Sequence, residues 1–570
     1  MKRQIFGKQK VLLFLILILG LGLRLHGLNW DQGFHLHPDE RMIVMVVERL
    51  GLSPEKSLNP KFFAYGSLPL YFLKLVSWLV SLIAGKQWMS YQYLPILGRI
   101  ISVVFDLGTI ILIFKISQNF FNGKTALLAA LLYSTCVFPI QLSHFYAVDI
   151  MLNFFIWWTV WRLILFYQKP VLFNAVLVGA SFGLALATKV SATVLLAAIG
   201  IALGINFFLL TLKLWREQGR NWRQKLLLLI KKGKNKELLM IIGKRLFGLG
   251  GTILVTTILA FAVCEPYAII DFSTFWRQII EQHQMIKNAY VFPYTLQYVV
   301  SRPYLYQLKN MTFWGMGPSL GFISVIGVIY YLVDLIRRLK IKGDYNQEAK
   351  ELIIVAFALV YFLTIGRFAV KFMRYFLPLY PFFILVGSFF ALRIFKSIKV
   401  VPIIFLFLHF TWLLGFIRIY SRLNTRIQAS RWINQNVPFN STLAVEHWDD
   451  RLPLWGGEKY RFLEMPMYDN DSSSFKWEKV TSNLTKADYL ILASNRLYVP
   501  LQKLANCDKY KVCYPRTAKY YQNLFSNKLG FRKVAEFTSY PLFNDDFADE
   551  SFTVYDHPKV IIFRKVRRLF

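Results

Sequence analysis

The sequence predicts an α-helical polytopic membrane protein with a small extracytoplasmic α/β domain at its C-terminal end. The apolar residues of the 570-residue chain form runs of about twenty, the length of a membrane-crossing helix, rather than amphipathic stripes. Hydrophobic residues make up 55% of the chain and charged residues only 17%, compared with about a quarter in soluble proteins. Beyond residue 417 the long apolar runs stop, which indicates a separate, more polar unit.

Eleven apolar segments are predicted to cross the membrane. The first follows a basic start, and no small-residue cleavage site comes after it, so we interpret it as a retained helix rather than a signal peptide. A twelfth apolar segment, 68–84, carries Lys74. The distribution of charge along the chain decides whether this segment crosses the membrane. The eleven segments lie near 10–28, 97–115, 124–142, 151–167, 171–187, 190–210, 247–264, 318–336, 353–366, 375–394 and 399–417.

Basic residues predict the orientation in a plasma (inner) membrane. The N-terminus and the segment 211–246 are both rich in lysine and arginine, and such segments are retained in the cytoplasm. An even number of crossings must separate them, so 68–84 is expected to lie in the outer interface as a juxtamembrane or re-entrant helix. The basic loop 337–350 then also faces the cytoplasm. The segments expected outside include 29–96, 265–317 and 418–570.

The net charge of +35 has the same explanation. It arises from 67 Lys and Arg residues against 32 Asp and Glu residues. Because the densest basic block lies between two apolar segments, cytoplasmic loops account for the excess, and no nucleic-acid partner is expected.

Residues 418–570 are predicted to form the small α/β domain, after a membrane domain that comprises 1–417. The runs STLAVE, ADYLILAS and VIIFRK are typical of strands, and NTRIQASRWINQNV is typical of a helix. Cys507 and Cys513 lie in this part and could form a disulfide if the domain faces an oxidising compartment. Cys136 and Cys264 lie in apolar runs and are expected to be packing residues.

Asp39 and Glu40, in the segment HLHPDERMIV after the first apolar run, are the first candidate site. A carboxylate beside a hydroxyl can accept its proton as the hydroxyl attacks a carbon, provided that a cation or donor keeps the acid ionised. The two residues could instead start a helix, with Asp39 as the N-cap and Glu40 favoured by the helix dipole. Asp149 is a further candidate acid, which could cap the helix that starts IMLNFF.

The predicted outer face also carries cations. Lys189, Lys371 and Arg374 would lie at the headgroup level, where long side chains could simply reach the interface or could bind a lipid-linked phosphate. Positive charge on the outer side opposes the usual distribution and favours the second interpretation. His37 and His144 could ligate a metal with the nearby acids, but no predicted helix presents two histidines at a metal-binding spacing, so a divalent metal is possible but not indicated.

At these residues the chain resembles the phospholipid-carrier-dependent glycosyltransferases of the GT-C class, which are relatives of protein O-mannosyltransferases and of the lipid A aminoarabinose transferase. Five segments carry the resemblance, in order along the whole chain. They are LRLHGLNWDQGFHLHPDER, SHFYAVDIMLNFF, GLALATKVSA, KFMRYFLPLYPF and FADESFTVYDHPKVIIF.

The resemblance implies transfer of a sugar, such as mannose or another hexose, from a polyprenyl- or dolichyl-phosphate carrier to an extracytoplasmic acceptor, with inversion at the anomeric carbon. It implies Asp39 as the base or acceptor-orienting acid, with Glu40 beside it and Asp149 in the second outer loop. Arg41 follows the acidic pair directly, whereas one residue intervenes in the aminoarabinose transferase pattern, so Arg41 could point elsewhere. The residues expected to hold the donor phosphate are Arg41, Lys189, Lys371, Arg374 and Arg302, and those expected to contact the acceptor or sugar are His37, His144 and Arg99.

The expected partners are the lipid-linked donor, membrane lipids and a lipid, glycan or protein acceptor. The donor is already activated, so no nucleotide site is needed, and the sequence contains no Walker or Rossmann motif. No certain cofactor is implied. A lipid or sugar transporter or flippase is the main alternative, but it would need broken helices in corresponding halves and charges at the membrane midplane. A non-catalytic assembly or receptor protein is the third hypothesis.

Overall fold

The computed structural model describes residues 2–52, 57–217, 234–341 and 346–566. α-Helices dominate it, and the five described strands all lie between residues 442 and 565. The predicted fold class, a helical membrane protein with a small C-terminal α/β domain, is confirmed. The central parts of the predicted basic loops 211–246 and 337–350 lie outside the described residues.

The helices of the membrane domain are numbered in chain order. They are α1 (Lys2–Leu25), α2 (Pro38–Arg49), α3 (Ser67–Ala84), α4 (Leu94–Phe120), α5 (Gly123–Ser134), α6 (Val137–Ser143), α7 (Val148–Gln168), α8 (Leu172–Thr188), α9 (Leu195–Glu217), α10 (Lys234–Cys264), α11 (Tyr267–Ile270), α12 (Phe272–Lys287), α13 (Leu305–Asn310), α14 (Pro318–Ile341), α15 (Asn346–Gly366), α16 (Tyr380–Ser397) and α17 (Val401–Ile417).

Several of these helices can cross a membrane, which makes the chain a multi-pass membrane protein. Among the described residues, eight are long and apolar enough by length and composition, and α5 with α6 forms a ninth if that bent pair is one span. The bend of 53° divides the predicted crossing 124–142. Helix α3 also meets the criteria, so its interfacial position and the count of eleven crossings stay predictions.

A buried ion pair joins the first helices of the membrane domain. Arg24 at the end of α1 lies 2.6 Å from Asp106 in α4, and both side chains are fully buried. The Tyr133 hydroxyl donates to the same carboxylate at 2.8 Å. Because an isolated charge among apolar helices is costly, this pairing lets α1, α4 and α5 pack together with their charges satisfied.

The C-terminal domain contains a five-stranded mixed sheet with the order β2-β1-β3-β5-β4. Strands β1 and β2 and strands β1 and β3 are parallel, whereas β5 is antiparallel to β3 and β4. Cys507 and Cys513 form a disulfide, the pairing that the sequence left open. The elements are α18 (Thr425–Asn436), β1 (Thr442–Glu446), β2 (Arg461–Met465), α19 (Ser474–Lys486), β3 (Tyr489–Leu492), α20 (Tyr498–Lys503), α21 (Pro515–Phe525), β4 (Phe531–Phe537), α22 (Glu550–Thr553) and β5 (Val560–Lys565).

One edge of this sheet faces the membrane domain. The carboxyl ends of β1 and β3 meet there with the amino end of β5, because β1 and β3 are parallel and β5 runs the other way. The segments at this edge carry Trp448 and Arg496 in loops and Glu550 at the start of α22. Gln141 of the membrane domain donates to Asp556 at 3.1 Å, which fixes this edge against the helices.

Candidate active site

Asp39 lies in the first turn of α2 and lines a cavity of about 450 Å³ between the membrane helices and the C-terminal domain. Its Oδ2 atom is 2.9 Å from Nη1 of Arg374, and its side chain is 21% exposed. The Tyr65 hydroxyl lies beside the same carboxyl group and helps to hold its pKa below the usual value. Asp39 is therefore held by two partners and remains reachable from the cavity.

The N-cap of α2 is His37. Its Nδ1 atom accepts a hydrogen bond from the backbone N–H of Glu40 at 3.3 Å. The alternative in which Asp39 caps the helix is therefore wrong, because Asp39 stands two positions further on. Asp39 and Glu40 still lie in the first turn, where the helix dipole favours negative charge. The carboxyl group of Asp39 is thus left to face the cavity.

Low pH is expected to destabilise the folded protein because the buried His37 side chain resists protonation. Burial lowers the pKa of His37 from 6.5 to about 3, whereas the unfolded side chain titrates near its usual value. Protonation therefore favours the unfolded chain as the pH falls below about 6.5, and the loss at pH 5 is about 2 kcal/mol. The measurement is the melting temperature of detergent-solubilised protein between pH 7 and pH 5. His37→Asn, which retains a capping oxygen but does not titrate, should flatten this dependence. An equal dependence in both proteins would contradict the expectation.

Asp149 is the second carboxylate at this place. It lies in the first turn of α7, and its Oδ1 atom is 2.8 Å from Nζ of Lys189, the residue that follows α8. Nε of Arg374 lies 3.6 Å from the Oδ2 atom of Asp149. Arg374 thus links the two acids. We call Asp39, Arg374, Asp149 and Lys189 the acid–cation cluster, in which two carboxylates balance two cations.

A glycine allows this cluster to form. The N–H of Gly66 donates to the carbonyl of Thr188 at 3.0 Å, at the end of α8. A Cβ atom at Gly66 would lie 1.9 Å from the carbonyl oxygen of Ala187, so no larger residue fits. This close approach places Tyr65 beside the cluster, with its ring 5.9 Å from Nζ of Lys189.

Two cavities meet at the acid–cation cluster. The first, of about 370 Å³, is lined mostly by apolar and aromatic side chains and contains Asp149 and Lys189 in its wall. The second is the cavity of about 450 Å³ that contains Asp39 and Arg374 and reaches the C-terminal domain. The residues common to both walls are Ala64, Tyr65, Lys189, Gln282 and Tyr375.

Glu40 points away from the cluster. Its buried Oε2 atom lies 2.6 Å from Nη2 of Arg99, and its Oε1 atom accepts the N–H of Tyr146 at 2.8 Å. Arg99 also pairs with Asp31 at 2.8 Å. These contacts tie α2 to α4 and to the chain before α2. The structure thus gives Glu40 and Arg99 structural partners, and their predicted roles at the reacting groups stay predictions.

The remaining candidate residues lie outside the walls of both cavities. Arg41 pairs with Asp450 of the C-terminal domain at 3.1 Å. Lys371 donates to a backbone carbonyl at 2.8 Å, and burial lowers its pKa to about 8. His144 contacts two backbone carbonyls, and Arg302 is exposed. Within the described residues, no group of three or more His, Cys, Asp and Glu side chains could hold a metal ion.

The sequence reasoning missed several residues of the second cavity. In the sequence, Tyr65 is distinguished only by the Gly-Ser pair that follows it. Glu550 lies in FADESFTVYDHPKVIIF, a segment that supports the resemblance but has no assigned role. Trp448 and Arg496 follow β1 and β3, so only the sheet order could have shown that they lie together.

A family model matches part of the membrane domain. Residues 75–231 match the family model described as dolichyl-phosphate-mannose-protein mannosyltransferase, which confirms the resemblance of the chain to O-mannosyltransferases. The match covers well under half of the chain. No curated protein sequence shows a significant match.

Solved structures resemble the chain at low identity. The apo oligosaccharyltransferase of Archaeoglobus fulgidus is 12% identical over 86% of this chain and 71% of that chain, with a TM-score of 0.49. ArnT from Cupriavidus metallidurans, bound to undecaprenyl phosphate, is 13% identical over 98% and 97%, with a TM-score of 0.42. The S. cerevisiae protein O-mannosyltransferase complex bound to the sugar donor is 16% identical over 47% and 34%, with a TM-score of 0.33.

Proposed function

We propose that the protein moves a sugar, a hexose such as mannose, from a polyprenyl- or dolichyl-phosphate carrier to an extracytoplasmic acceptor, with inversion at the anomeric carbon. The observation that carries the proposal is the acid–cation cluster at the junction of two cavities. One cavity presents Asp39 as a base, and the other presents Lys189 and Asp149. A reaction between a lipid-linked donor and a separate acceptor needs two such entrances to one reacting centre.

The first cavity suits the donor. Its wall is mostly apolar, as the first units of a polyprenyl chain require, and Lys189 stands at its junction with the second cavity. A bound phosphodiester adds one negative charge to the balanced cluster, and it gains a second as the bond to the sugar breaks. Lys189 and Arg374 are placed to stabilise this developing charge. Asp149 orients Lys189 through their contact.

The second cavity suits the acceptor. Burial would raise the pKa of Asp39, but the Arg374 guanidinium together with His37, Tyr65 and Lys189 outweighs burial and holds this pKa below its usual value. Asp39 is therefore ionised at neutral pH and can accept the proton of an acceptor hydroxyl. With the phosphate leaving toward the first cavity, the hydroxyl attacks from the opposite side of the sugar, which gives inversion.

The direct test is chemical. Purified protein in liposomes is given polyprenyl-phosphate sugars together with a membrane extract as the source of acceptor, and the lipids and products are analysed by mass spectrometry. We expect free polyprenyl phosphate and a sugar-modified product. A transporter or flippase would move the donor across the bilayer intact. Recovery of all the donor uncleaved would therefore overturn the proposal and favour that alternative.

The proposed orientation places the C-terminal domain outside the cytoplasm. The Cys507–Cys513 disulfide supports this, because disulfides persist in oxidising compartments. A peptide tag fused after Phe570 should bind a membrane-impermeant antibody in intact cells or spheroplasts. Labelling that appears only after lysis would contradict the orientation. A tag at the N-terminus, which should be labelled only after lysis, is the matched control.

A further inference from the structure

We infer that the C-terminal domain forms one wall of the acceptor subsite, in which Arg496 and Glu550 bind hydroxyl groups of an uncharged carbohydrate acceptor. The inference deepens the proposed function and rests on it, since Asp39 marks the reacting position. It assigns a substrate class to the second cavity and a role to two residues that lie outside the acid–cation cluster.

Arg496 and Glu550 reach the cavity because they lie at the sheet edge formed by the carboxyl ends of β1 and β3. Arg496 follows β3, Trp448 follows β1, and Glu550 precedes β5, and all three line the same cavity as Asp39. Tyr555, on the segment between α22 and β5, completes this wall, and its hydroxyl lies 3.4 Å from Nη1 of Arg374. The C-terminal domain therefore reaches the acid–cation cluster itself. Loops at the carboxyl ends of parallel strands are a frequent position for ligand sites.

Arg496 and Glu550 are held in place before any ligand arrives. Nε of Arg496 donates to Oε1 of Glu550 at 2.7 Å, and Nη1 donates to the carbonyl of Trp448 at 3.2 Å. The amide of Gln297 donates to the other carboxylate oxygen of Glu550 at 2.6 Å. Their side chains keep 16% and 9% of their surface exposed. Among the contacts of the described residues, none uses Nη2 of Arg496. A ligand hydroxyl can therefore accept from Arg496 and donate to Glu550 without rearrangement.

Aromatic surface lies beside this polar pair. Trp448 is 44% exposed although it lines the cavity, and its ring lies 6.2 Å from that of Tyr294. A sugar ring has apolar C–H faces and a polar rim of hydroxyl groups. An exposed indole next to fixed donors and acceptors matches both parts of such a ligand.

The charges of the wall favour a neutral acceptor. Arg496 is paired with Glu550, and Arg374 is paired with Asp39. Each arginine thus already has an acidic partner, which an anionic group would have to displace. An extended peptide, the other acceptor class with hydroxyl groups, is typically bound along an exposed strand edge. The edge strands β2 and β4 contribute no residue to the cavity wall.

The first test measures binding. A panel of methyl glycosides and uncharged disaccharides is mixed with the detergent-solubilised full-length protein and followed by saturation-transfer NMR, with a serine- and threonine-containing peptide as a parallel probe. We expect at least one saccharide to bind, and Arg496→Met and Glu550→Gln each to weaken that binding tenfold or more. Arg461→Met and Glu478→Gln change exposed residues of the same domain and serve as matched controls. Binding of the peptide alone, or of no saccharide, would overturn the inference.

The second test separates this inference from the proposed function. With a polyprenyl-phosphate sugar as donor, sugar release to water reports donor cleavage, whereas glycoside formation with the bound saccharide reports acceptor use. We expect Arg496→Met and Glu550→Gln each to raise the KM for the saccharide. The factor of this increase should be at least ten times the factor by which the same variant lowers sugar release to water. Equal loss of both activities would refute acceptor recognition while leaving the proposed function intact. Absence of any donor cleavage by the unmodified protein would refute the proposed function itself.

Discussion

Asp39→Asn should lower sugar transfer by about 10²- to 10⁴-fold while the protein still folds, because Asp39 is the proposed general base and removing such a base has effects of this size. The amide has nearly the same shape as the carboxylate but cannot take the proton of the acceptor hydroxyl. The change also leaves Arg374 without the partner that lies 2.9 Å away. Asp149 pairs with Lys189 and lines the first cavity, so it is not placed to replace Asp39.

The measurement is turnover of a polyprenyl-phosphate sugar by purified enzyme, together with melting temperature and elution profile. Asp508→Asn makes the same chemical change at an exposed position and is the matched control. Near-normal turnover by Asp39→Asn would remove Asp39 from the reaction. A misfolded variant would show instead that the ion pair with Arg374 is needed for stability, and Asp39→Glu, which keeps the charge, would then test the chemistry.

Arg99→Met is expected to cost about 3–5 kcal/mol and to prevent accumulation of folded protein, because it leaves two buried carboxylates without their cation. Arg99 is fully buried between Asp31 and Glu40, at 2.8 and 2.6 Å. Methionine fills much of the same space, so the loss would reflect charge rather than volume. Arg461→Met at an exposed position is the matched control.

A compensating variant separates the electrostatic cause from a packing cause. Asp31→Asn and Glu40→Gln added to Arg99→Met remove all three charges, and we expect the yield of folded, monodisperse protein to recover substantially. If the triple variant is no better than Arg99→Met, the buried charges are not the reason for the loss. If Glu40→Gln alone folds normally but abolishes transfer, then Glu40 takes part in the reaction.

The pattern of apolar residues along the chain predicted more of the fold than of the site. Runs of about twenty apolar residues are a strong local signal, and VIIFRK predicted β5 at its observed bounds. Strands β2 and β4 were missed because they lie at the sheet edges and are largely exposed, so they lack alternation of apolar residues. The bend between α5 and α6 has no proline at the break and was not predicted.

At the site, the sequence predicted that charged groups gather on one face better than it predicted which way each side chain points. Adjacent residues in a helix turn face different directions, which is why Asp39 reaches the cavity and Glu40 reaches Arg99. The sequence placed the two acids side by side but could not show which one faces the cavity. The link from Arg41 to Asp450 joins residues more than 400 positions apart, and no local pattern could have shown it.

The sheet edge that faces the membrane domain also bears on how such an enzyme can diversify. Trp448 and Arg496 belong to loops, which tolerate substitution and insertion far better than packed helices. The helices and turns that carry Asp149 and Lys189 belong to a different part of the chain. With the proposed division of subsites, descendants of one ancestor can exchange one acceptor for another by altering a few loop residues, while the helices proposed to bind the lipid carrier are inherited unchanged.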